Sequence, residues 1–245
     1  MPVLETQDLS VRFGGHLAVH AVDLAVEAGT VAGLIGPNGA GKTTTFNVIT
    51  GLQRPTRGRV LLDGDDITRL SPHRRARRGI ARTFQRLELF GALTVRDNVL
   101  VAVERADGPG PDSRRAADEL LELVGLAAVA DERADSLSTG NARLVELARA
   151  LGTRPKVLLL DEPASGLDED ETEQMAATLS TLTADGLAIL LVEHDVPLVM
   201  RLCQHVTVLN YGEVLAAGTP AEVQADPTVV AAYLGNGPVT TEALS

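Results

Sequence analysis

Eight consecutive residues, Gly36-Pro37-Asn38-Gly39-Ala40-Gly41-Lys42-Thr43, match the spacing G-x-x-x-x-G-K-[ST], which cradles phosphate oxygens. Glycines let the backbone bend tightly and turn successive N–H groups toward an anion. Lys42 supplies a compact charge, and the Thr43 hydroxyl is a hard oxygen ligand for Mg2+. An accidental Gly-rich turn is the competing reading. Lysine usage argues against it: the chain has two lysines, Lys42 and Lys156, and otherwise uses arginine. Lysine thus stands at the one place where a wide, planar guanidinium fits poorly.

Three further groups could complete phosphate chemistry. Leu158-Leu159-Leu160-Asp161-Glu162 puts two carboxylates at the end of an apolar run. Asp161 is placed to hold Mg2+, directly or through water, and Glu162 to polarise an attacking water. A plain Asp-Glu-Pro surface turn is the alternative. His194, in Val192-Glu193-His194-Asp195, follows another apolar run and can reach a terminal phosphate. A lone histidine is more often structural, and His16, His20, His73 and His205 are read that way. Gln85, at a junction between two regions, could ligate Mg2+ and report its presence; a simple hydrogen-bonding role competes.

These groups need elements to position them. Val31–Ile35 predicts a buried strand before the glycine loop, and Thr44–Thr50 the first turns of a helix ending at Gly51. Val3–Phe13 and Leu17–Glu27, joined at Gly14-Gly15, predict a hairpin, and Arg59–Leu62 a short strand before the turn Asp63–Asp66. Ser71-Pro72 opens an arginine-rich helix, and Gly79–Thr83 predicts a strand. From 86 to 154 the pattern becomes mostly helical, with starts at Thr94, Asp112-Ser113 and Leu137–Asn141. Val157–Asp161 and Ala188–Val192 predict buried parallel strands around a helix at about 168–183. Val196–Leu202, Pro220–Ala225 and Pro227–Leu234 predict helices, and Val206–Leu209 with Val214–Ala216 a hairpin turning at Asn210–Gly212. The expected organisation is α/β: a core of residues 1–85 and 155–235, a helical insertion of 86–154 and a loose tail of 236–245.

Composition narrows the class. A hydrophobic fraction of 44% with 2% aromatics implies an aliphatic core. The single cysteine, Cys203, excludes a disulfide framework and suits a reducing compartment, with helix packing as its role. The polar start lacks a secretory leader pattern, and the longest apolar runs fall far short of a membrane span; a soluble, cytoplasmic protein is expected. A net charge of −11 argues against nucleic acid as a partner. Arg74, Arg75, Arg77, Arg78, Arg82 and Arg86 form a local exception. They read as a solvated helix face or as a face toward anionic lipid or an acidic partner.

Taken together, the motifs resemble those of the ATP-binding subunit of ABC transporters. Gly36–Thr44, including Thr44, matches the Walker A motif, Gln85 the Q-loop, Leu137–Asn141 the signature, Val157–Glu162 the Walker B strand with its catalytic glutamate, Ser165–Asp168 the D-loop and His194 the switch histidine. Phe13 matches the aromatic that stacks on adenine; strand packing is its alternative role. The resemblance covers about residues 3–235 with every motif in the family's order. It implies a P-loop NTPase fold with an N-terminal antiparallel β subdomain and an inserted helical subdomain, and ATP with Mg2+ as ligands. It implies catalytic roles for Lys42, Glu162 and His194, and a metal set of Thr43, Gln85 and Asp161. The signature departs from the common Leu-Ser-Gly-Gly-Gln: Ser138 and Gly140, which face phosphate in the family, are kept, while Thr139 and Asn141 differ. Ser138 is also expected to cap the helix that starts there.

A finer resemblance, in Phe13–Gly15, Gly79–Gln85, Val192–Asp195, Val208–Gly212 and Gly218–Pro220, is to ATPases of branched-chain amino acid importers, specifically the subunit carrying Leu-Asn-Tyr-Gly. Urea or amide importers and the lipopolysaccharide-export ATPase share much of it, and a non-transport ABC regulatory ATPase is the alternative of another class. The implied partners are a second ATP-binding subunit, identical or paralogous, transmembrane permease subunits and, indirectly, a solute-binding protein. The implied place is the inner face of the cell membrane.

Overall fold

The structure is a computed structural model and describes residues 1–83 and 88–234. In chain order the elements are β1 (Leu4–Phe13), β2 (His16–Val26), β3 (Val31–Ile35), α1 (Lys42–Thr50), β4 (Arg57–Leu62), β5 (Asp65–Asp66), α2 (Pro72–Arg77) and β6 (Ile80–Arg82). Then follow α3 (Val95–Asp107), α4 (Ser113–Leu123), α5 (Thr139–Gly152), β7 (Val157–Asp161), α6 (Glu169–Ala184) and β8 (Ala188–Val192). The chain closes with α7 (Val196–Leu202), β9 (His205–Asn210), β10 (Glu213–Gly218), α8 (Pro220–Ala225) and α9 (Pro227–Leu234).

Two sheets form. The first is antiparallel, in the order β2-β1-β4-β5. The second has the order β10-β9-β3-β8-β7-β6, parallel except for β10. Every residue of β3, β7 and β8 is buried, as a parallel sheet covered on both faces requires. Side chains alternate between those faces. Leu158, Leu160, Ile189 and Leu191 pack with the helices α3 to α7. Val157, Leu159, Ala188 and Leu190 pack with α1 and the antiparallel sheet. The central sheet is therefore sandwiched, and each fully buried leucine contributes about 1.5–3 kcal/mol.

Strand order decides where chemistry can occur. β8 lies between β3 and β7, so the segments leaving the carboxyl ends of all three are neighbours. Those segments carry Gly36–Thr43, Asp161-Glu162 and Glu193-His194, at the edge where open α/β sheets bind ligands.

Several expectations need correction. α1 begins at Lys42 rather than Thr44, because the glycine loop hands the chain directly into helical geometry. Asp65-Asp66 is a short strand paired with Leu61-Leu62 rather than part of the turn. Two single 3-10 turns, Ala127–Val129 and Ala134–Ser136, interrupt the helical block. The arginine cluster is not one outward face. Arg74 and Arg77 are exposed, but Arg75 is only 1% exposed. Its guanidinium donates to the carbonyls of Val48 (2.6 Å), Ile49 (2.8 Å), Thr68 (2.7 Å) and Leu70 (3.1 Å). It thereby closes the C-terminus of α1, where a positive charge meets the negative end of the helix dipole. Burial lowers its pKa to about 10. Gly51, at φ 81°, leaves the room: a Cβ there would lie 2.9 Å from Arg75 Nε. The Arg82 side chain is also turned inward, for a different purpose.

Candidate functional site

The glycine loop is fixed from behind. Gly36 has φ 152°, and a Cβ there would lie 2.2 Å from the Leu209 carbonyl oxygen. The Gly212 N–H donates to the Ala40 carbonyl (3.1 Å), tying the β9–β10 turn to the loop, and Ala40 N–H donates to Pro37 (3.1 Å). Gly39, at φ 82°, has nothing within 4 Å of where a Cβ would stand, so the loop is open on the other side. Gly41, the N-cap of α1, has no side chain to satisfy the first-turn N–H groups. Such a helix start invites an anion.

Lys42 lies across this loop, 7% exposed. Its Nζ donates to the carbonyls of Gly36 (2.6 Å) and Pro37 (3.0 Å). Burial lowers its pKa, and the nearby charges of Glu162 and Asp161 oppose that shift. Thr43, beside it, is exposed, and Thr44 is half-buried. Pro37 is half-buried and Asn38 exposed on the loop's outer side.

At the end of β7, Asp161 is buried. Its Oδ2 accepts from Arg82 Nη2 at 2.7 Å, and its N–H donates to Thr83 Oγ1 at 3.3 Å. Glu162 turns away from the strand with φ 53°, a left-handed conformation that is uncommon for a non-glycine residue and occurs at functional sites. Its N–H donates to the Val192 carbonyl (2.8 Å). Its Oε1 lies 2.8 Å from His194 Nε2, so the carboxylate and imidazole read separately in the sequence form one pair.

Glu193 and Arg82 were missed as site residues. The Glu193 carboxylate is buried and accepts from the N–H groups of Ala164 (2.7 Å) and His194 (3.1 Å). It clamps the segment after Glu162 to the segment bearing His194. Burial raises its pKa, while these hydrogen bonds oppose the shift. The available signal was a carboxylate directly after the buried strand Ala188–Val192. For Arg82 it was an arginine within a strand three residues before Gln85.

Ser138 caps α5 as expected, its Oγ accepting from Asn141 N–H (3.1 Å). Gly140 is buried under Glu171: a Cβ there would lie 2.2 Å from Glu171 Oε2. Thr139 reaches over Gly166, its Cγ2 3.0 Å from where a Cβ of that glycine would stand. Among the described residues, no hydrogen bond or ion pair joins Ser138, Gly140 or Asn141 to Gly36–Thr44. The structure brings Lys42, Asp161, Glu162 and His194 together and leaves the α5 start apart. Phe13, at the end of β1, is 49% exposed, which leaves its ring face available. Gln85 lies outside the described residues.

Comparisons with known proteins supply the family. Residues 19–165 match the family described as ABC transporter, and residues 213–238 match that described as branched-chain amino acid ATP-binding cassette transporter. The chain belongs to the ABC transporter ATP-binding family. It is 43% identical to the high-affinity branched-chain amino acid transport ATP-binding protein BraF of Pseudomonas aeruginosa, over 96% of this chain and 98% of that one. It is 41% identical to LivG of Escherichia coli, with the same description and the same coverage. Identity to the lipopolysaccharide export ATP-binding protein LptB of Haemophilus influenzae is 37%, again over 96% and 98%. A nucleotide-free ATP-binding cassette from an ABC transporter superposes with TM-score 0.86 at 33% identity, over 96% of this chain and 100% of that one. A cassette solved as a dimer in a post-hydrolysis state with ADP and Pi gives 0.80 at 27% identity, over 89% and 98%.

This chain is therefore an ATPase of the ABC fold, and the residues present suit Mg·ATP. The loop offers a glycine-lined opening, an uncapped helix start and a buried ammonium. No group of three or more His, Cys, Asp or Glu poised for a metal occurs among the described residues. A cation here would rely on a hydroxyl, one carboxylate and phosphate oxygens, which is the habit of Mg2+ rather than of zinc. No helix among the described residues is long and apolar enough to cross a membrane.

Proposed function

We propose that this ATPase powers an importer of branched-chain amino acids, working as one of two ATP-binding subunits beneath transmembrane permease subunits. The observation that carries the reading is the joining of Lys42, Asp161 and the Glu162–His194 pair at three adjacent strand ends, in a chain 43% identical to BraF. Its place is the cytoplasmic face of the cell membrane, with a solute-binding protein as an indirect partner.

The mechanism follows from the groups present. ATP phosphates enter the opening at Gly39 and meet the first-turn N–H groups of α1. Lys42 Nζ exchanges the Gly36 and Pro37 carbonyls for phosphate oxygens. Phe13 offers its exposed ring to adenine. Thr43, Asp161 and Gln85 would hold Mg2+, which when bound neutralises charge on the phosphate oxygens. Glu162, oriented by His194, aligns and polarises the attacking water. The start of α5, with Ser138, Gly140 and Asn141, faces the nucleotide of the other subunit. A site with phosphate ligands from both subunits binds ATP better closed than open, and this difference drives closure.

Uptake of labelled leucine in a strain lacking this chain tests the reading. Uptake should fall and return with the wild-type chain but not with Glu162→Gln. Unchanged leucine uptake, with a defect in urea uptake or lipopolysaccharide export instead, would move the substrate to those relatives' classes.

A further inference from the structure

Arg82 reaches the candidate site from a sheet edge. It ends β6, a three-residue edge strand hydrogen-bonded to β7 with Arg82 opposite Leu159. Its side chain is 8% exposed, and that of Asp161 is 6% exposed. The guanidinium forks: Nη2 donates to Asp161 Oδ2 and Nη1 to Asn47 Oδ1, each at 2.7 Å. Its carbon lies 5.5 Å from the centre of the Phe46 ring. Asn47 is one helical turn beyond Thr43 on the same face of α1. The fork thus spans the two elements that carry the cation-facing hydroxyl and carboxylate.

A buried ion pair is weak as a source of stability, because apolar residues of similar volume serve as well. Its value lies in geometry. Bonded through Oδ2, the Asp161 carboxylate cannot rotate freely. Partners behind a ligating carboxylate set its orientation, and their loss typically lowers metal affinity or activity ten- to hundred-fold. Arg82 also borders a 440 Å3 groove together with Thr83, Phe90, Glu146 and Arg149. Arg82, on the Asp161 carboxylate, and Thr83, which accepts from the Asp161 N–H, therefore both belong to that groove wall.

We propose that Arg82 is a positioning residue that sets the Asp161 carboxylate, and its spacing from Thr43, for the divalent cation of the nucleotide. This rests on the assignment of Asp161 and Thr43 under the proposed function. The test uses the full chain with a non-hydrolysable ATP analogue. Nucleotide affinity is measured in EDTA, and Mn2+ affinity of the nucleotide complex by the electron paramagnetic resonance signal of free Mn2+. Arg82→Gln should lower Mn2+ affinity about ten- to hundred-fold and leave the EDTA nucleotide affinity within about twofold. Arg82→Lys keeps the charge but loses the fork, and should recover part of the loss. Asn47→Ala keeps the ion pair and removes the second prong; it should give a smaller loss of the same sign even if the arginine variants fold poorly. Equal losses of nucleotide and Mn2+ affinity, or no change in Mn2+ affinity in a folded variant, would reduce Arg82 to packing and overturn the proposal. A wild-type complex that bound no Mn2+ would instead overturn the metal assignment itself.

Discussion

Two helix starts of this chain are assigned to phosphate under the proposed function, and they are finished differently. At α1 the N-cap is Gly41, with no capping side chain, and the adjoining Lys42 is 7% exposed. At α5 the N-cap is Ser138, whose hydroxyl already accepts from Asn141 N–H, and both Ser138 and Thr139 are exposed. The first start is incomplete as a helix and is braced by Leu209, Gly212 and the Lys42 ammonium around an opening. The second has a side-chain cap on one first-turn N–H, and its first two residues, Ser138 and Thr139, are turned outward. An uncapped start enclosed by its own chain offers its N–H groups to a ligand held there, whereas an exposed start is open to a ligand held by a neighbour. This contrast is the physical basis for expecting half-sites in two copies, and it can be tested from either side.

The largest effects belong to the α1 side. Glu162→Gln should cut ATP turnover about 10²–10⁴-fold, the usual reach of a general base, while ATP binding persists. Lys42→Ala should lower turnover on the order of 10²–10³-fold and weaken nucleotide binding as well. Equilibrium binding beside steady-state phosphate release separates the two. If Glu162→Gln hydrolysed ATP near the wild-type rate, the pairing with His194 would be structural.

A second effect contrasts the two arginines whose side chains turn inward. Arg75→Met removes donors from four carbonyls at the C-terminus of α1 and its neighbours, costing on the order of 3 kcal/mol. It should lower the urea midpoint and leave nucleotide affinity in the folded protein unchanged. Arg75 and Arg82 carry the same charge seven residues apart, yet one answers to a helix end and the other to a carboxylate in the site.

These arginines also mark where the sequence stopped being legible. β3, β7, β8, α7, α8 and α9 were readable to the residue. Continuous apolar runs and prolines at helix starts are local signals, and burial reinforces them. The fate of an arginine depends on what lies across the fold. Nothing near Arg75 announces the carbonyls of Val48 and Ile49, and nothing near Arg82 announces Asp161, so both read as part of an outward face, toward solvent, anionic lipid or an acidic partner. The Glu162–His194 contact was invisible for the same reason: each residue was legible as chemistry, but their meeting is a product of strand order. Thr139 reads as a departure from a pattern, and only the fold shows it lying over Gly166.

A smaller effect tests the α5 side. Gly140→Ala places a methyl against the Glu171 carboxylate, which accepts from Asp168 N–H in the capping box of α6. Losing that cap costs about 1 kcal/mol. Turnover should drop about tenfold, equivalent to about 1.4 kcal/mol in the barrier, with nucleotide affinity of the isolated subunit unchanged. An equal loss of affinity in the isolated subunit would mean that α5 serves its own chain's nucleotide.

The smallest effect concerns Glu146 in the groove wall. Its carboxylate is buried, accepts from Glu88 N–H (2.9 Å) and lies 3.4 Å from Arg143, with Arg149 nearby. Burial raises its pKa above the ordinary glutamate value, and the Glu88 hydrogen bond and the two arginines oppose that shift. A carboxyl whose pKa is raised by folding holds its proton in the folded state where the unfolded chain has lost it. Its contribution to stability is therefore greatest below the unfolded pKa and falls as pH rises through the folded one. Glu146→Gln removes that dependence while keeping an oxygen to accept from Glu88. The melting temperature of the variant relative to wild type should therefore be higher at pH 8 than at pH 5. The opposite slope would mean that the two arginines, not burial, govern this carboxylate, and that the groove wall holds a true ion pair like that of Arg82 and Asp161.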